Sequence, residues 1–188
     1  MTDSADTGTT RDQRDAEARI RALSYDSSWI FDVEHIVELY HVCRVHPGTS
    51  ALEIGSYRGH CALALALAGK QVTSIDVSDK YLESRQTLVT DHQQEERVSF
   101  LLRSSEEELL LPQTFDVILH DNGKRRSSLL TELEAFWTRK LSPGGLLMVH
   151  NVEHIDLPRL NRQLDPEGQI VTSDRRNRQL GFFVKPVR

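Results

Sequence analysis

Apolar residues recur along this chain in two rhythms that take turns. Short apolar runs at 51–54 (A-L-E-I), 71–77 (Q-V-T-S-I-D-V), 98–102 (V-S-F-L-L), 115–120 (F-D-V-I-L-H) and 146–149 (L-L-M-V) have the length of buried strands. Between them lie stretches with helical spacing. Residues 60–68 are almost entirely Ala and Leu, 79–92 place Tyr81, Leu82, Leu88 and Val89 on one side, and a helix ending near Lys140 holds Leu129, Leu130, Leu133, Phe136 and Trp137. A short E-E-E-L-L-L helix follows the third strand, with Ser104 or Ser105 as its cap in a Ser-x-x-Glu pattern. Ser78 and Asp79 are placed to cap the 79–92 helix, and 141–145 (L-S-P-G-G) reads as a turn.

The two ends of the chain differ from this middle. Residues 1–10 are small and polar, without periodic hydrophobics, and are expected to be disordered. Residues 11–23 alternate in charge with Ala16, Ile20 and Leu23 at helical spacing, and Val33, Ile36, Val37, Tyr40 and Cys43 mark a second helix that ends before His46-Pro47-Gly48. Beyond a short helix at 157–164, strands at 169–173 and 180–185 flank the charged turn 174–178 and predict a closing hairpin. Strands alternating with helices imply an α/β fold, a mainly parallel sheet covered on both faces. One domain is expected over 11–188, with 11–47 as a helical extension ahead of the first strand and no internal repeat or linker.

Composition narrows the partners. The net charge of −5 argues against non-specific nucleic-acid binding, which depends on Lys and Arg neutralising phosphates. The arginines at 125–126 and 175–176 read as solvated turns in an acidic chain. No apolar run reaches the ~20 residues that span a membrane, and the polar, acidic N-terminus lacks the regions of a secretory signal. Cys43 and Cys61 sit in apolar helical contexts and read as buried thiols. A cytoplasmic protein is the expectation.

The chemistry concentrates at 51–68, A-L-E-I-G-S-Y-R-G-H-C-A-L-A-L-A-L-A, a strand, a glycine turn and a helix. Glycine suits a place where backbone passes close to a ligand, and the turn aims N–H groups and a helix N-terminus at one spot. The two glycines are four apart, so this is not G-x-G-x-x-G, and without G-K-[ST] it is not a P-loop. A strand–turn–helix with structural glycines is the bland alternative. Asp76 ends the second strand 23 residues after Glu53, where an α/β nucleotide site places its ribose partner.

The pattern E-x-G-x-x-x-G resembles the first motif of class I S-adenosylmethionine (SAM)-dependent methyltransferases. Three segments resemble their catechol O-methyltransferase-like, divalent-cation-dependent subgroup: L-E-I-G-S-Y-R-G-H-C, D-V-I-L-H-D-N-G-K and L-S-P-G-G-L-L-M-V-H-N-V, covering residues 48–155. The resemblance implies a Rossmann-like sheet with a C-terminal antiparallel hairpin and a helical cap, where Trp29 would be a substrate or cofactor wall or a plug onto the core. It implies cofactor contacts from Glu53, Gly55, Ser56, Tyr57, Gly59 and Cys61 around the turn. Further contacts would come from Asp76, Val77, Ser105, Glu106 and His120 at later strand ends. Carried over by position, Asp121 is a metal ligand, Lys124 a general base and Asn151 a second ligand.

His150 departs from the family, which has Asp there. Mg²⁺ prefers oxygen ligands, whereas imidazole suits other divalent metals. His150 is therefore a ligand of a different metal, a base in a metal-free site, or an ordinary strand-end histidine. The function implied is SAM-dependent methylation of a small-molecule acceptor, foremost a hydroxyl oxygen, with a divalent cation (Mg or Mn) as an option. The alternatives are a metal-independent N- or C-methyltransferase with a His base, and a SAM-binding protein without turnover. Many members of that family are dimers, which carries a homodimer over as one option.

Overall fold

The computed structural model describes residues 11–23, 32–122, 126–173 and 177–187. Two helices, α1 (Arg11–Ala22) and α2 (Val33–Val45), precede β1 (Ser50–Ile54). The alternating part runs α3 (His60–Leu67), β2 (Gln71–Asp76), α4 (Leu82–Asp91), β3 (Val98–Leu102), α5 (Ser105–Leu110), β4 (Phe115–His120), α6 (Arg126–Arg139) and β5 (Leu141–His150). A single 3-10 turn (Val152–His154), α7 (Leu157–Leu164), β6 (Gly168–Ser173) and β7 (Gln179–Val184) complete the chain. The expectations for residues 1–10 and for Trp29 fall outside the described residues.

The seven strands of the described residues join one sheet in the order β3-β2-β1-β4-β5-β7-β6. β1 to β5 pair in parallel, and β7 enters antiparallel to both β5 and β6. This is the Rossmann-like arrangement with a closing antiparallel hairpin. Chain order reverses between β1 and β4, which opens a crevice at the carboxyl ends of those strands.

Strand alternation sends side chains to two cores. Ala51, Val117, Leu119 and Met148 pack with α1, α2 and α3, while Leu52, Ile54, Ile118 and Leu147 pack with α6 and α7. The Ala/Leu character of α3 fits its burial, since a helix that is apolar all round belongs inside. α2, capped by Asp32, lies over the β5–β7 side of the sheet, where Cys43 Sγ meets Met148 Sδ at 3.7 Å. Thr172 of β6 donates to Glu38 of α2 at 2.7 Å, and Arg21 of α1 binds Glu34 of α2. The extension is thus anchored as a cap over the last strands.

Two local readings are corrected. The 79–92 helix begins only at Leu82, because the Ser78 N–H turns back to Asp76 Oδ1 and the Leu82 N–H donates to Asp79 O. Residues 141–145 are a bulge inside the span of β5 and not a turn before it. Phe115 pairs with Leu141 and Val117 with Leu146, so three intervening residues of one strand's excess are looped out. Gly144 and Gly145 still hydrogen-bond Lys185 after β7, which keeps the bulge in the sheet. Among the described residues no helix is long and apolar enough to cross a membrane.

Candidate active site

A cleft of about 710 Å³ runs along the carboxyl ends of the strands, lined in sheet order from β3 to the β6–β7 hairpin. Its centre is the turn after β1. The Gly55 N–H donates to Ile75 O and the Asp121 N–H to Ile54 O, both at 2.9 Å, so this exit is sewn to β2 and β4. Gly55 has φ +97°, and a Cβ there would overlap the Asp121 carbonyl oxygen. The absence of a side chain is therefore demanded by the β4 loop itself. Gly59, at φ +83°, starts α3 against Phe100 and Arg85.

Beneath the turn lies a buried polar chain. Ser74 Oγ donates to Glu53 and lies in hydrogen-bond contact with Ser56 Oγ. Burial pushes the Glu53 carboxyl up to about 8, opposed by the Ser74 hydrogen bond and reinforced by the Asp121 and Asp76 charges. Glu53 and Ser56 support the turn from below, and neither lines the cleft. Cys61 is buried in the first turn of α3, its thiol pushed well above its usual range by burial, and it also stays out of the cleft lining. Both cysteines are free and buried.

At the β2 end, Asp76 Oδ2 accepts the Tyr57 N–H at 2.9 Å, and Oδ1 accepts the Ser78 N–H at 3.0 Å. Arg85, 2% exposed, donates to Tyr57 O at 2.6 Å, Ser78 O at 2.8 Å and Asp76 Oδ2 at 3.3 Å. One buried guanidinium thus fastens the glycine turn to the β2 carboxylate. Tyr57 lines the cleft in a left-handed conformation, φ 41°, which these bonds hold. Val77 lies beside Asp76, 75% exposed, as an apolar seat. At the β3 end Ser104 makes the capping box with Glu107, which leaves Ser105 and Glu106 to line the cleft.

The β4 and β5 ends bring a dyad together. Asp121 Oδ1 is 3.0 Å from His150 Nδ1, and the Asn151 amide is 3.1 Å from the same nitrogen. A carboxylate beside Nδ1 favours the tautomer protonated there and leaves the lone pair on Nε2. The atom of Asn151 that faces this nitrogen is Nδ2, so its amide has to turn by 180° to present its oxygen to Nδ1–H. His150 Nε2 is out of solvent, and the His35 ring of α2 stands edge-on to the His150 ring at 6.2 Å. The His120 ring leaves the cleft for the opposite sheet face. Its Nε2 lies 3.1 Å from Glu132 Oε1, the same oxygen that accepts from the cleft-lining Asn122 at 2.8 Å. Lys124 lies outside the described residues.

Asp121, His150 and Asn151 are therefore neighbours. Among the described residues, however, no group of three His, Cys, Asp or Glu side chains is arranged to hold a metal ion. Sequence reasoning passed over Arg85, Asn122, Glu132, His154 and Arg178. Glu132 and Arg85 sit in helices where a charged residue reads as solvated, and only the tertiary contact reveals them.

A family model described as a methyltransferase domain matches residues 52–152. No curated protein matches the chain by sequence. Among solved structures it resembles the O-methyltransferase TomG from Streptomyces achromogenes in complex with SAM, at 15% identity and TM-score 0.67, over 95% of this chain and 91% of that one. It also resembles an O-methyltransferase from Bacillus cereus in complex with SAH, at 14% identity and TM-score 0.68, over 96% of this chain and 94% of that one. A third is a SAM-dependent O-methyltransferase from Thermotoga maritima, at 14% identity and TM-score 0.71, over 92% of this chain and 72% of that one. At these identities the likeness is one of fold.

Proposed function

The chain belongs to the methyltransferase domain family, and on that premise we propose that it methylates a small-molecule hydroxyl with SAM, using His150 as proton acceptor. The observation that carries the reading is the contact between His150 Nδ1 and Asp121 Oδ1 at 3.0 Å, in the same cleft as Asp76, Ser105 and Glu106. The O-methyltransferase neighbours solved with SAM or SAH support the cofactor and the acceptor atom.

The residues present fit the cofactor. Asp76 retains acceptor capacity on Oδ1 for ribose hydroxyls, Val77 offers an apolar surface, and Ser105 with Glu106 offers a hydroxyl and an acceptor to an adenine edge. The backbone of the Gly55–Tyr57 turn would hold the methionine part. SAM supplies a methyl group on a positively charged sulfur, already activated for transfer. The protein's own share is alignment and proton removal. His150 takes the acceptor's hydroxyl proton on Nε2, a nitrogen that must first turn out of its buried position to reach the cleft. Asp121 holds the imidazole in that tautomer and stabilises the imidazolium that results.

A divalent cation does not fit these donors well. Asp121 is the one carboxylate among them, and its Oδ1 and His150 Nδ1 face each other at hydrogen-bond distance instead of a shared point.

Calorimetric titration of SAM and SAH, each with and without EDTA, tests the reading. Micromolar binding that is indifferent to EDTA and at least tenfold weaker in Asp76→Ala is expected. Folded protein that binds neither cofactor would end it. EDTA-sensitive turnover would restore the metal, and cofactor binding without transfer to any hydroxylated acceptor would favour a sensor.

A further inference from the structure

Arg85 belongs to α4 and stands behind the cleft, outside its lining. Its side chain is almost wholly buried. The stem passes the start of α3, where a Cβ on Gly59 would stand 3.4 Å from both Cβ and Cγ of Arg85. That close pass leads the guanidinium to the exits of β1 and β2. Nε donates to the Tyr57 carbonyl, while Nη2 donates to the Ser78 carbonyl and to Asp76 Oδ2. Asp76 Oδ2 in turn accepts the Tyr57 N–H. Guanidinium, carboxylate and Tyr57 therefore close a ring in which each member holds the other two.

The ring fixes two things at once. It clamps Tyr57 by its N–H and its carbonyl in a left-handed conformation that a residue with a side chain rarely adopts. It also engages Oδ2 of Asp76 inside the protein, so that Oδ1, beside the Ser78 N–H, is the oxygen turned to a ribose. A planar fork with two donor nitrogens spans both strand exits, which a single ammonium cannot do. An apolar side chain would pack α4 without a buried charge. What the guanidinium adds is orientation, and its three acceptors all lie on the segments that carry Tyr57 and Asp76.

Resting on the SAM-binding reading above, we propose that Arg85 is a positioning residue that presets both halves of the cofactor site. It sets the Tyr57 turn for the amino-acid part and Asp76 for the ribose, and acts only through these two.

The test compares SAH with methylthioadenosine, which keeps the adenine, ribose and sulfur but lacks the amino-acid part. Both are titrated by calorimetry into the full chain and its Arg85 variants, whose folding is checked by circular dichroism. Arg85→Gln should weaken methylthioadenosine about tenfold, through Asp76, and SAH about a hundredfold, through Asp76 and the turn together. Arg85→Lys keeps the buried charge without the fork. It should show the same split at smaller size, and it stands in if Arg85→Gln does not fold. Equal losses for the two ligands, a loss confined to SAH, or wild-type affinities in Arg85→Lys would each overturn the proposal. So would wild type that binds SAH but not methylthioadenosine, since a preset ribose site holds the nucleoside by itself. Wild type that binds neither ligand would strike the SAM-binding reading itself, and is measured first.

Discussion

At the amino ends of the parallel strands three lysines are turned inward, while at the carboxyl ends three carboxylates and two histidines line a cleft. Lys70 donates to the carbonyls of His46 and Gly48, Lys140 to those of Leu111 and Gln113, and Lys185 to those of Trp137 and Leu141. His46 and Leu111 are the C-terminal caps of α2 and α5, and Trp137 lies in the last turn of α6. A parallel α/β chain directs helix C-termini, with their unpaired carbonyls and negative dipole ends, to this edge of the sheet. Lysine answers that demand with three donors and a positive charge. Burial lowers the affinity of all three for their protons. The opposite edge receives helix N-termini and is left as a cleft. One handed connection rule therefore sets two chemistries, glue at one end and a binding site at the other.

That contrast implies mutations with opposite signatures. The largest effect is expected from His150→Gln, which should lower kcat by about 10²–10⁴-fold and leave the melting temperature nearly unchanged, as measured by SAH release and thermal denaturation. A parallel collapse in stability would mean the dyad belongs to the scaffold. Lys140→Met should do the reverse. It takes the donor from the Leu111 and Gln113 carbonyls and removes the cation 3.8 Å from buried Glu108, a loss of about 2–4 kcal/mol, with SAH affinity held within about threefold. Because Glu108 also binds the cleft-lining Arg103 at 2.6 Å, a larger change in affinity would show that the two edges communicate through α5.

A smaller and pH-dependent effect belongs to Glu53. Its carboxyl holds a proton up to about 8 in the folded protein, against 4.5 when free. Its stabilising contribution is therefore complete below the free value and is lost as pH rises through about 8. Wild type should lose on the order of 2 kcal/mol between pH 6 and 8 from this group, and Glu53→Gln should flatten that slope in chemical denaturation at a series of pH values. An unchanged slope would place the ionised carboxylate under the turn.

The sheet was legible in the chain because each apolar run is the length of one strand and each helix between them has a repeating apolar side. Irregularities were not. Ser142-Pro143-Gly144-Gly145 has the composition of a turn, but its neighbours pair on both sides, so it is a bulge inside β5. Asp76 sits at its expected strand end, and Ser105 with Glu106 lines the same cleft. His120 could not be separated from its neighbours by spacing, since which face a strand-end residue takes depends on the pleat and on a partner, Glu132, 12 residues away. Arg85 was illegible for the same reason. Its three acceptors come from the glycine turn and the β2 end, which only the folded chain brings together.

The missing side chain at Gly55 has a practical meaning for anyone reshaping this pocket. Its backbone stands so near the Asp121 carbonyl that the gap between the first and fourth strand exits has no room for even one methyl group. The width of the cofactor end is thus a fixed dimension, beyond tuning by point substitution at that turn. Breadth of accepted molecules has to be engineered elsewhere in the lining, at the side chains beyond the β3 and β5 ends, as a vice is adjusted at its jaws while its bed stays bolted down.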